Sequence, residues 1–103
     1  MKHIGWFSEM KLSAADNGSI KEYVSDHAQY DKAEVIAYLN SQKRISGCPK
    51  AAIDCVTGKE IAPSFSVYTD GEYDWCDFLI YHIEKYNVKL PSDFIEHITK
   101  RIA

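Results

Sequence analysis

The chain has 103 residues, the size of one ordinary domain, and 46% of them are hydrophobic, enough to bury a real core. A formal net charge of −3, with no Lys/Arg stripe and no aromatics interleaved in one, argues against a nucleic-acid binder, whose phosphate contacts need a basic footprint. No apolar run approaches membrane-spanning length, the N-terminus lacks a signal-peptide pattern, and three cysteines are an odd count that favours free thiols. A single soluble, cytoplasmic domain over residues 1–103 is therefore expected.

Asp16-Asn17-Gly18 reads as a turn. Ser19 followed by Glu22 has capping-box spacing, in which a hydroxyl and a carboxylate satisfy early helical N–H groups reciprocally, and predicts a short helix from about Ile20 to His27. Asp31 and Glu34 repeat that spacing. With Val35, Ile36 and Leu39 on one face, they predict a second helix over Lys32 to Gln42, stopped before Ser46-Gly47 and Pro49.

From Ile53 the period changes to two, with turns at Thr57-Gly58 and Asp70-Gly71. A two-residue Asp70-Gly71 loop would set Val67 beside Asp74. A three-residue loop over Thr69 to Gly71 instead aligns Phe65 with Trp75 and Val67 with Tyr73, leaving Ser66, Tyr68, Glu72 and Asp74 on the other face. The same choice at Val56 to Gly58 pairs Ile53 with Ile61. If both hairpins share one sheet, its exposed face carries Asp54, Glu60, Glu72 and Asp74. After Trp75 the period is helical to about Asn87. Leu90-Pro91 then connects to a last helix capped by Ser92, with Phe94, Ile95, Ile98 and Ile102 as its apolar stripe. The expected fold is α+β, a small antiparallel sheet of hairpins around residues 53–75 packed with N-terminal and C-terminal helices.

Charge is distributed unevenly. Six carboxylates fall between Glu60 and Glu84 with no lysine or arginine between Lys59 and Lys85, and four of them crowd into TDGEYDWCD. A single-sign cluster is a poor stability device and suits attraction of a cationic partner. Asp70, Glu72, Asp74 and Asp77 are the candidate electrostatic contacts, with Tyr68 as an aromatic anchor on the same expected face.

Catalytic and metal readings find less support. Cys48, Cys55, Cys76 and His82 lack the tight spacing of a zinc knuckle, and no spacing selects one Cys/His pair as a nucleophile. Glu72 and Asp74 on one strand face could in principle serve as paired carboxylates, but an exposed face offers nothing to separate their pKa values. Phosphate-binding loops, nucleophile elbows and H-E-x-x-H helices are absent from the sequence. No catalytic residue, metal or cofactor is assigned.

The order D-x-x-T-G-K-x-I (Asp54 to Ile61), Y-T-D-G-x-Y-x-W (Tyr68 to Trp75), L-x-Y-x-I-x-K-Y-N (Leu79 to Asn87) and L-P-x-x-F-I-x-H (Leu90 to His97) resembles short bacterial immunity proteins. These are found beside polymorphic or contact-dependent growth-inhibition toxins. The resemblance implies a non-enzymatic inhibitor without a cofactor, whose ligand is a cognate toxin domain. Many such toxins are nucleases with cationic grooves, which an acidic inhibitor can occupy where phosphates would lie. The expected function is thus an immunity protein, monomeric or weakly dimeric, touching neither nucleic acid nor membrane. A small hydrolase or thiol enzyme would require a pocket joining a cysteine or carboxylate to His82 or His97. A homodimeric adaptor would require a large self-complementary apolar patch.

Overall fold

Chain order in the computed structural model, which describes residues 2–12 and 16–102, begins with a short strand, β1 (Lys2–His3), and two 3-10 turns, Ser8–Met10 and Ile20–Glu22. Then come α1 (Lys32–Ser41), β2 (Lys43–Cys48), β3 (Ala52–Ile53), β4 (Glu60–Ala62), β5 (Phe65–Thr69), β6 (Tyr73–Cys76), α2 (Leu79–Tyr86) and α3 (Ser92–Ile102). The fold is α+β. Its main sheet has the strand order β1-β6-β5-β2, and β3 and β4 form a separate two-stranded sheet. β1 pairs with β6 in parallel, so the sheet is mixed rather than wholly antiparallel.

The helices form where caps and apolar periodicity agree. Asp31 accepts from the Glu34 N–H at 3.1 Å and starts α1, which buries Val35, Tyr38 and Leu39. α3 buries Phe94 and Ile98, leaves Ile95 half-buried, and exposes Ile102. α2 is shorter than the periodicity suggests. Trp75 belongs to β6, and Asn87 closes the helix in the left-handed region at φ 50°. The helix expected over Ile20 to His27 is a single 3-10 turn. Its reciprocal carboxylate comes from Glu9 rather than Glu22: Glu9 accepts from the Ser19 hydroxyl at 2.5 Å and from the Ile20 N–H at 3.0 Å. The Ser19 oxygen still accepts from the Lys21 N–H at 3.2 Å, so the cap forms but the helix it starts stops after one turn.

The sheet register also departs from expectation. Tyr68 pairs with Trp75, Val67 with Cys76 and Thr69 with Asp74, a slip of three residues from the alignment of Phe65 with Trp75. The turn is widened by side chains. Asp70 accepts from the N–H groups of Glu72 and Tyr73, and the Thr69 hydroxyl donates to the Tyr73 carbonyl, with Gly71 at φ +101°. All four residues of β6 are buried, because β1 and β5 flank it and Tyr73 and Trp75 pack on Phe94 of α3 and Trp75 on Tyr38 of α1. The expected alternation of buried and solvated residues therefore fails on β6. In the smaller sheet Ile53 lies opposite Glu60 rather than Ile61, through an irregularity after Ala52.

β2 occupies the edge of the main sheet. Lys43 and Arg44 sit on it, and a bulge between Arg44 and Ser46 turns Ile45 outward, devices that discourage edge-to-edge pairing. Gly5, next to β1, has φ +71°, and a Cβ there would lie 2.6 Å from a Leu79 methyl group. An L side chain there would be strained by the backbone conformation and would have to displace Leu79 of α2.

Candidate functional site

The five residues expected to form one partner-binding face are dispersed. Asp70 is structural: its side chain is fully buried, and its second oxygen accepts from the Tyr38 hydroxyl at 2.5 Å and pairs with His97 Nε2 at 2.8 Å. Burial alone would raise its pKa, but the Tyr38 hydroxyl, the two turn N–H groups and His97 outweigh it and hold the carboxyl down at about 2. Asp74 is 7% exposed and pairs with His3 at 2.6 Å, on the seam where β1 joins β6. It does not share a solvent face with Glu72. Glu72 is exposed at the hairpin tip, 3.6 Å from His97 Nδ1.

Asp54, expected on the same open face, is 1% exposed. One of its oxygens accepts from the N–H groups of Val56 and Thr57, at 2.8 and 3.0 Å, which shapes the β3–β4 turn. The other accepts from the hydroxyls of Tyr81 at 2.7 Å and Tyr86 at 2.5 Å, which anchors that turn to α2. Burial works to raise its pKa, and the two tyrosines with the two N–H groups reverse this and hold it well below the usual carboxylate range. Lys85, largely exposed at 3.5 Å, adds little.

These burials change the charge map. Of the fifteen carboxylates, the side chains of Asp54, Asp70 and Asp74 are at most 10% exposed, which leaves twelve at the surface against twelve Lys and Arg. The whole negative excess is interior. An acidic attracting face built from Asp54, Glu60, Glu72 and Asp74 does not exist in this fold.

Two expected residues do come together. Tyr68 of β5 and Asp77, just before α2, line a groove of about 310 Å3 with Leu39 of α1 and Ile80, Tyr81 and Glu84 of α2. Asp77 is positioned by β5: its carboxylate accepts from the Ser66 N–H at 3.1 Å, and its own N–H donates to the Ser66 carbonyl at 2.9 Å. The groove presents an apolar and aromatic floor with Asp77 and Glu84 at its sides, and the Lys85 ammonium lies against Tyr81, 5.5 Å from its ring centre. Glu84 was not singled out in the sequence, although its spacing seven residues from Asp77 could have suggested it.

The other titratable groups are committed to the core. His82 is fully buried. It accepts the Cys55 N–H on Nε2 at 3.0 Å and lies 2.8 Å from the Phe78 carbonyl through Nδ1, which fixes the neutral Nδ1–H tautomer. Burial lowers its pKa below the ordinary 6.5, although the Phe78 carbonyl and Asp54 pull the other way. A group with a depressed histidine pKa gives stability that is present above pH 6.5 and is lost as pH falls. His82→Gln should therefore show a smaller loss of unfolding free energy between pH 7.5 and 5.5 than the parent. An unchanged difference would mean that His82 does not carry this pH response. Burial also pushes the Cys55 and Cys76 thiols up to about 12, the reverse of what a thiolate nucleophile needs. Among the described residues, no group of three or more His, Cys, Asp or Glu is placed to hold a metal ion. Nor, among the described residues, is any helix long and apolar enough to cross a membrane.

Compared with protein-family models, with curated proteins and with solved structures, the chain finds no match.

Proposed function

We propose that this protein is an immunity protein, which binds a cognate bacterial toxin domain and neutralises it without chemistry of its own. The supporting observation is the convergence of the four sequence motifs behind the resemblance. Asp54, Tyr81 and Tyr86 meet at one buried carboxylate, and Asp70 and His97, from two other motifs, meet at the second. The motif residues act as one scaffold that locks both hairpin turns to the helices. Such a scaffold can be shared by proteins whose surfaces recognise different toxins.

The recognition surface in this reading is the Tyr68–Asp77–Glu84 groove. An aromatic floor flanked by two carboxylates suits an Arg or Lys side chain, and cationic side chains line the substrate groove of a nuclease. Only Tyr68 and Asp77 remain from the five residues first singled out, joined now by Glu84. The test takes a candidate toxin domain, sought first in the reading frames beside this protein's own. Co-expression should protect cells from that domain, and the two purified proteins should elute as a stable complex. Failure to form a complex with a folded, active toxin domain would overturn the reading.

A further inference from the structure

Between the N-terminal loop and the β3–β4 hairpin lies a second cavity of about 560 Å3. That volume falls within the range of small-molecule sites. Its floor is apolar, made by the buried side chains of Met10, Phe65 and Phe78. Its rim is cationic, with Lys11, Lys21 and Lys50 against a single carboxylate, Glu9. Both oxygens of Glu9 are already engaged by Ser19 and Ile20. The surface as a whole is balanced in charge, so this local surplus is a feature of the site.

Lys50 is held in place. Its ammonium donates to the carbonyls of Met10 at 2.8 Å and Lys11 at 3.1 Å, which among the described residues spends two of three donors and leaves one. The N–H groups of the turn residues Val56, Thr57 and Gly58 are already used, because all three donate to Asp54. Recognition of an anion here thus falls to the lysines. Val56, 43% exposed at the rim, extends the apolar wall outward.

We propose that this cavity binds a small amphiphilic carboxylate, its apolar body over Phe65 and Phe78 and its carboxylate on Lys50 and Lys21. The site is independent of the toxin-binding groove, and its test needs no toxin. Octanoate is titrated into the labelled protein while backbone amide shifts are recorded, with 1-octanol and acetate as separate arms. Saturable shifts are expected at Lys21, Ala51, Val56 and Thr57, with a Kd on the order of 0.1–1 mM for a ligand of roughly ten heavy atoms. Octanol should bind at least about tenfold more weakly, and acetate should not saturate. The exposed charge reversal Lys21→Glu should weaken octanoate by about tenfold with the rest of the spectrum unchanged. Equal binding of octanol, insensitivity to Lys21→Glu, or no shifts at about 10 mM octanoate would each overturn the proposal.

Discussion

Replacing Asp54 with alanine is expected to be among the most damaging single changes available in this chain. It would leave two backbone N–H groups and two tyrosine hydroxyls without their acceptor. At about 1–3 kcal/mol for each buried donor left unsatisfied, partly recovered by water at the tyrosines, the loss should be on the order of 3–5 kcal/mol. For a domain of this size that lowers Tm by about 15 °C or more. Asp54→Asn keeps an acceptor for the turn and should lose roughly half as much. Lys85→Ala, by contrast, removes an exposed partner and should leave stability close to that of the parent. Urea unfolding at pH 7 measures all three. A loss below about 1 kcal/mol for Asp54→Ala would show that the turn and α2 are joined mainly by apolar packing.

The second large effect belongs to Asp70 and is a matter of pH as well as size. Its carboxyl is held at about 2 in the fold, against an ordinary 3.8. The folded state therefore binds this proton less readily than the unfolded chain. The stabilisation is complete above the unfolded value and is lost as pH falls through the range from 3.8 to about 2. With about 1.4 kcal/mol per pKa unit, the contribution is roughly 2 kcal/mol. Asp70→Ala should lose this and orphan Tyr38 and His97 as well, for a total on the order of 3 kcal/mol at pH 7. Asp70→Asn is the cleaner probe of the pH term. Its unfolding free energy should fall by roughly 2 kcal/mol less than that of the parent between pH 5 and pH 2. Parallel profiles for parent and variant would contradict the assignment.

α1 and α3 were legible in the sequence because their signals are local. Asp31 caps the helix it precedes, and Phe94 and Ile98 recur at helical spacing. The hairpin turns at Gly58 and Gly71 were legible for the same reason. Register was not, because it depends on partners far away in the chain. β1 covers the free side of β6, Asp70 reaches Tyr38 and His97, and together they favour a wider turn than glycine alone would suggest. β2 was missed because Ser46-Gly47 and Pro49 mark a helix stop, and a charged, bulged edge strand has no period of its own.

The carboxylate cluster shows a different kind of failure. Counting charge along the sequence treats each carboxylate as solvated, yet Asp54, Asp70 and Asp74 are the ones the fold uses as buried hydrogen-bond acceptors. A buried carboxylate needs several donors, and those donors lie on other elements. Tyr81, Tyr86, Tyr38 and the histidines were visible in the sequence, but nothing in their spacing assigned them to a particular aspartate. Asp77 and Tyr68 kept a place in the candidate surface because the connection from β6 to α2 holds one beside the other at the groove.

That groove is where the functional account is most exposed to test. Under the proposed function, association of the protein with its cognate toxin domain should be measured for the parent, for Glu84→Lys and for Glu72→Lys, at low salt and near 0.15 M, where the Debye length is about 8 Å. Both substitutions fall on exposed side chains, so circular dichroism should show the fold intact. Glu84→Lys is expected to raise Kd by about tenfold or more and to flatten the salt dependence of the on-rate, while Glu72→Lys at the hairpin tip stays within about twofold of the parent. The reverse ranking, or a toxin that binds Glu84→Lys as tightly as the parent, would contradict the groove as the recognition surface.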